Sequence, residues 1–399
     1  MAKNKKFRLV DAILSVITVV FVAEAAAPVA SIGNSQYFWW LFMIAAFLLP
    51  YGLIASELGT AFPGDGGLYD WIQTAYPGTH WGARASWYYW INFPLWMASL
   101  AVVCPELLEV IFGGRIDPVW SLVIQLAFIW IVTWIAAYPV CDSILILNLS
   151  AAIKILLALT VGVLGIVYVS KNGFVNSMEA RTFLPSFDLN SLSYISVILF
   201  NFLGFEVVCT FAKDMENPAR DIPKAIIMGG LAIGAIYLFC GFGIGAAIPA
   251  DQIDPDFGMI VAVMTMVGEA SPIFIVIAIV FLITLFANMA SWSFGVNAVA
   301  EYAAKNQNMP KVFAHENPKT GMPTGAAVVN GIVASAVLLI QLIPDESISQ
   351  GLFWTLFATS VVFLLLTYIP MFPAFIKLRQ VDANRPRVYR FPFQGTAMK

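Results

Sequence analysis

Apolar stretches long enough to cross a bilayer recur from one end of this chain to the other. Residues 25–56, 118–141, 225–250, 270–300 and 347–376 contain no Asp, Glu, Lys or Arg. Crossing about 30 Å of hydrocarbon takes roughly 20 helical residues, so each stretch is long enough to span. Backbone polar groups in lipid must be satisfied internally. Unbroken apolar character, without the alternation of a barrel strand, then selects helices. The expected fold class is an all-α polytopic membrane protein, in keeping with a composition that is 60% hydrophobic and 11% charged, against roughly 25% charged in soluble domains.

Charge and Gly/Pro punctuation divide the chain into about ten spans, near residues 11–33, 36–61, 84–112, 118–140, 144–170, 191–212, 223–248, 271–303, 323–343 and 350–376. The apolar segment Phe257 to Gly268 reads as an extra surface helix. The first span follows Lys3, Lys5 and Lys6 without a short apolar region and cleavage site, so it serves as its own insertion signal. With the amino terminus inside, the cytoplasmic segments hold most of the Lys and Arg, from Arg8 and Arg84 to Lys305, Lys377, Arg385 and Arg390. The outer loops hold Arg115, Lys171 and Arg181, beside acids such as Asp251, Asp254, Asp256, Asp345 and Glu346. That asymmetry predicts a cytoplasmic amino terminus, and a plasma membrane of the bacterial inner-membrane kind is the expected location. One transmembrane domain is expected over residues 1–376, followed by a basic cytoplasmic tail over 377–399.

Cys104, Cys141, Cys209 and Cys240 are scattered, without metal-ligand spacing, and read as small packing residues. His80 and His315 have no local ligand pattern. Walker, His-Glu-x-x-His and Gly-x-Ser-x-Gly signatures are absent, so neither an enzyme nor a cofactor or metal is expected, and nucleic acid is not an expected partner. A bundle without fuel-burning machinery transports along gradients, senses or scaffolds.

Four features carry candidate function. Lys154 stands alone in an apolar span, where an ammonium needs a partner, a cavity or a task. Span one contains Glu24-Ala25-Ala26-Ala27-Pro28 at mid-depth, and span six contains Phe200-Asn201-Phe202-Leu203-Gly204-Phe205-Glu206. Both read as helix breaks, which in secondary transporters expose backbone groups to substrate. The breaks fall in corresponding helices if residues 11–170 and 191–376 form two five-helix repeats. Trp90, Trp96, Phe200, Phe202 and Trp292 are either aromatic gates or ordinary packing and interfacial rings. Gly230 with Gly234, and Gly241 with Gly245, give the small-residue spacing of tight packing on span seven.

The run Ile54-Ala55-Ser56-Glu57-Leu58-Gly59-Thr60-Ala61-Phe62-Pro63-Gly64-Asp65-Gly66-Gly67-Leu68-Tyr69 resembles the second-helix signature of amino acid permeases in the amino acid, polyamine and organocation superfamily. Gly204-Phe205-Glu206 with Glu216-Asn217-Pro218-Ala219-Arg220-Asp221-Ile222-Pro223 resembles its sixth helix and following loop. Glu301 to Phe313 and Gly321-Met322-Pro323-Thr324 resemble the loop after its eighth helix. Among subgroups, the bacterial glutamate/GABA antiporter-like permeases are the nearest in pattern. The resemblance implies a five-plus-five inverted-repeat transporter core with broken helices one and six, binding an amino acid or amine between helices one, three, six and eight. It implies Na+-independent exchange by alternating access, with proton-coupled symport, or an amino acid sensor that keeps the fold without transporting, as alternatives.

Lys154 matches a fifth-helix lysine that replaces a sodium ion and ties helix one to helix five; the competing reading is a lysine that snorkels. Glu206 matches a sixth-helix glutamate implicated in proton-linked exchange, against a structural carboxylate at the broken helix. Gly204 either unwinds the helix or packs it. Span one departs from the family, because Ala25-Ala26-Ala27-Pro28 stands where many members carry a glycine and serine run. Glu24 there would repel a carboxylate and attract an amine, unless it is protonated or pairs with Lys154. The chain ends at Lys399, so the family's usual last two spans are expected to be missing. Partners beyond substrate are protons and membrane lipid, and oligomeric state is left open.

Overall fold

The computed structural model describes residues 8–62, 66–137, 144–255, 257–342 and 351–391. Lys3, Lys5, Lys6, the Pro63-Gly64-Asp65 stretch, Cys141, Asp256, Asp345, Glu346 and the residues after Phe391 lie outside them.

Each of the ten expected spans is helical over most of its described residues. Among the described residues, eight helices are long and apolar enough to cross a membrane: Ser35–Ala61, Trp81–Phe112, Pro118–Ala136, Asn148–Asn172, Pro218–Ala247, Pro272–Lys305, Thr324–Leu342 and Leu352–Val381. These are spans two to five and seven to ten. Span one is Leu9–Val20 followed by Ala23–Ala30, bent by 61°. Span six is Leu189–Phe200 followed by a tighter helix, Phe205–Asp214. Spans four, seven and eight start with proline in the first turn, where the missing N–H costs nothing. Asp117 caps span four by accepting from the Val119 N–H at 2.9 Å.

Spans one to five and six to ten form two five-helix repeats of an inverted-repeat transporter core, with a break in the first helix of each. Span ten packs along span three, span seven lies along spans five and one, and span eight packs on span three. The glycines of span seven make these approaches possible. A Cβ on Gly243 would stand 2.4 Å from the Val161 carbonyl oxygen of span five, while Gly230, Gly234 and Gly241 meet Leu48, Ile44 and Gln36 of span two. Gly245 differs, having open space around it apart from Asn176 at 3.9 Å.

The expected surface helix between spans seven and eight, Gly258–Val267, is instead docked inward. Met259, Ile260, Ala262 and Val263 are buried, because an apolar helix placed against span seven hides its apolar side there. The basic segment after span ten is likewise held by the bundle. Glu57 of span two is fully buried and accepts from Arg379, from Arg387 Nε at 3.1 Å and from the Phe391 N–H at 2.6 Å. Arg385 lies 4.1 Å over the Phe62 ring.

Candidate substrate site at two broken helices

The break in span one begins where Phe21 and Val22 turn extended, with ψ of 123° and 111°. Carbonyls before the break then lose their helical donors and need others. Lys154, 1% exposed, supplies them from span five. Its Nζ donates to the Thr18 carbonyl at 2.6 Å, the Phe21 carbonyl at 2.8 Å and Asn288 Oδ1 of span eight at 2.7 Å. Three donors meet three acceptors, so the ammonium is fully bonded without a carboxylate. After the break, Ala25, Ala26, Ala27 and Pro28 are all buried. Pro28 has no N–H to donate to the Glu24 carbonyl one turn back, so the helical ladder stays incomplete within this segment.

The break in span six rests on Gly204. Its φ of +94° is rarely adopted by residues with a side chain, and a Cβ there would stand 2.3 Å from the Trp292 ring. The Gly204 N–H donates to the Tyr368 hydroxyl at 3.0 Å, and that hydroxyl donates to Glu206 Oε1 at 2.7 Å. Tyr89 donates to the same oxygen at 3.2 Å, and Tyr51 donates to Oε2. Glu206 therefore sits buried in a cage of three phenols from spans two, three and ten.

Tyr237 of span seven joins the two breaks. Its hydroxyl accepts from the Val22 N–H at 2.9 Å and lies 2.9 Å from the Val22 carbonyl and 3.0 Å from Asn201 Oδ1, to either of which it can donate. Trp40 stacks on its ring at 4.7 Å. Phe200, Asn201 and Gly204 thus lie beside the span-one break, and Trp292 covers Gly204. Trp96 packs edge-on against both Trp292 and Phe200, at 5.8 and 5.1 Å. Phe202 sits against Trp40. Trp90 lies apart from this group, with its ring edge-on to Phe313 at 4.8 Å and tilted on Trp87.

Glu24 is 3% exposed, and its Oε1 has no hydrogen-bond partner. The direct pair with Lys154 that the sequence allows is not formed, because the freed carbonyls and Asn288 take all three ammonium protons. Asn201 Nδ2 and the indole N–H groups of Trp96 and Trp292 are also buried without partners. Each of these is an unpartnered polar group that a small polar ligand could bond. Among the described residues, no three His, Cys, Asp or Glu side chains gather as metal ligands do.

Sequence reasoning missed Tyr237, Asn288 and the Tyr51, Tyr89 and Tyr368 cage. The available signal was the presence of hydroxyls and an amide in spans that could otherwise be wholly apolar.

Residues 7–398 match the family model described as "Amino acid permease". The chain is 55% identical over 389 residues to the "Probable agmatine/putrescine antiporter AguD" of Lactococcus lactis subsp. lactis, covering 97% of this chain and 82% of that one. It is 22% identical to the "Aspartate/glutamate permease AcaP" of Lactococcus lactis subsp. cremoris, covering 88% of this chain and 75% of that one. The crystal structure of MhsT in complex with L-phenylalanine superposes with a TM-score of 0.62 at 17% identity, covering 91% of this chain and 87% of that one.

Proposed function

Because the chain belongs to the amino acid permease family, we propose that it exchanges small amines or amino acids across the plasma membrane by alternating access, without sodium. Substrate binds between the broken helices, contacting Ala25 to Pro28 of span one and Phe200, Asn201 and Gly204 of span six. Trp292 closes over it. Trp90 acts only as packing at the end of the pathway. The observation that carries the sodium-independent reading is Lys154, whose ammonium already occupies the carbonyls freed in span one, where a bound cation would otherwise be needed. Similarity to a protein named as an agmatine/putrescine antiporter supports exchange. The lysine and arginine bias supports a cytoplasmic amino terminus.

A proton-coupled symporter is the second reading, favoured by the caged Glu206 carboxylate. Labelled putrescine, agmatine and amino acids, offered to proteoliposomes with and without unlabelled substrate inside, separate the readings. Uptake that needs internal substrate and is equal in sodium and choline establishes the exchanger. Uptake into empty vesicles driven by an inward proton gradient establishes symport, and a strict sodium requirement removes the assignment of Lys154. Substrate-dependent thermal stabilisation without flux would leave a sensor.

A further inference from the structure

We infer that Glu24 is the counter-ion of a protonated amine on the substrate, and that its carboxylate turns away molecules carrying their own carboxylate at that end. The assignment rests on the exchanger proposed above and names its substrate class as decarboxylated amines, not α-amino acids.

The case lies in the accounting of donors around Glu24. The side chain is buried in the first turn after the span-one break, and Oε1 lacks any partner. Its own backbone N–H meets the carboxylate, and three titratable side chains lie in electrostatic reach: Lys154, Cys104 and Tyr237. Each has its protons committed elsewhere. Lys154 gives all three to Thr18, Phe21 and Asn288. Tyr237 has one proton, directed to Val22 or Asn201, and Cys104 faces the Leu100 carbonyl at 3.5 Å. A buried carboxylate that keeps one oxygen bare is costly, so a purely structural role would have brought a second donor to Oε1. The partner that completes the site comes from outside, as an ammonium or a guanidinium.

Position also explains the exclusion. Ala25 to Ala27 are the proposed substrate contacts of span one and Glu24 adjoins them, so a carboxylate held there would face a second one. Two carboxylates about 4 Å apart in a partly buried site repel enough to weaken binding on the order of 100-fold. Amine and guanidinium ends gain from the same charge.

Equilibrium binding of labelled putrescine and agmatine to the detergent-purified protein tests this, with ornithine and arginine as the matching molecules that retain a carboxylate. In the wild type the amines should bind on the order of 100-fold more tightly than the acids. Glu24→Gln should weaken amine binding about 30-fold or more and narrow that gap, while Glu24→Asp should fall between. Glu24 accepts no side-chain bond, so Glu24→Gln should keep the wild-type unfolding temperature and a single size-exclusion peak. Unequal loss for putrescine and agmatine would tell whether an ammonium or a guanidinium faces Glu24.

A folded Glu24→Gln protein within about 3-fold of wild-type amine affinity would overturn the assignment, as would a wild type that prefers the acids. Should Glu24→Gln not fold, the wild-type comparison of amines with acids decides alone. Glu24-dependent amine binding without flux into counter-loaded vesicles would sink the exchanger and keep the site. Amino acid flux without amine binding would do the reverse.

Discussion

Removing the Lys154 ammonium should release the Leu9–Val20 half of span one. A charged hydrogen bond contributes about 1.5–3 kcal/mol, so three give roughly 4–9 kcal/mol gross, comparable with the about 5–15 kcal/mol that stabilises a whole domain. Lys154→Met keeps the length of the side chain and strands the Thr18 and Phe21 carbonyls together with Asn288 Oδ1. Coupling of that loss to a single acceptor is more informative than its size. Asn288→Leu removes one of the three bonds and leaves both backbone contacts, and the Asn288 Nδ2 group has no partner to lose. Asn288→Leu should cost about 1.5–3 kcal/mol in reversible unfolding in detergent. Added to Lys154→Met it should cost much less, since the bond is already gone. A coupling of about 1.5 kcal/mol or more in that double-mutant cycle is therefore expected. Hydrogen exchange should show faster opening of Leu9–Val20 in Lys154→Met, with span three unaffected. Additive effects within about 0.5 kcal/mol, or unchanged protection of Leu9–Val20, would refute the reasoning.

Gly204→Ala should be poorly tolerated. The positive φ costs about 1–2 kcal/mol and the overlap with Trp292 about 1–3 kcal/mol more, while Gly204→Ala combined with Trp292→Leu should recover part of the unfolding temperature. Protonating Glu206 would turn one acceptor of the tyrosine cage into a donor, so acid should loosen the cage and alkali tighten it. Glu206→Gln should flatten the pH dependence of transport with the protein still folded, and an unchanged profile would leave Glu206 a structural group. Glu57→Gln should free the segment after span ten, since breaking a buried charge pair costs about 3–5 kcal/mol. Tryptic cleavage after Arg387 and Arg390 should then accelerate at least about tenfold, and equal rates would show that the Glu57 contacts do not hold that segment.

What the sequence reveals and what it hides follow from the physics of a membrane bundle. Span positions are legible because hydrocarbon demands uninterrupted apolar runs. Lys154 and Gly204 are legible because a lone ammonium in such a run, and a glycine beside a carboxylate, each break the expectation. Their partners are not. Asn288 lies 134 residues from Lys154, and Tyr368 lies 162 from Glu206. Spans are apolar toward lipid and toward one another, so no hydrophobic period marks the inward face. This is also why the helix Gly258–Val267 is expected at the surface from sequence alone. The Glu24–Lys154 pair was suggested by opposite charge at similar depth. The unwound carbonyls, which no residue identity announces, take the ammonium instead.

Placed side by side, the two breaks show one design used with opposite polarity. In each repeat the fifth helix sends a side chain to the broken first helix: Lys154 of span five to span one, and Tyr368 of span ten to span six. At span one the freed groups that are met are carbonyls, and the incoming group is a donor. At span six the freed group is the Gly204 N–H, and the incoming hydroxyl accepts from it before passing its own proton toward Glu206. Tyr237 then bonds to Val22 of one break and Asn201 of the other through a single hydroxyl with a single proton. That proton cannot serve Val22 and Asn201 at once, so movement of either break changes what the other is offered. Coupling between the half-sites therefore needs no long pathway, because one phenol touches both.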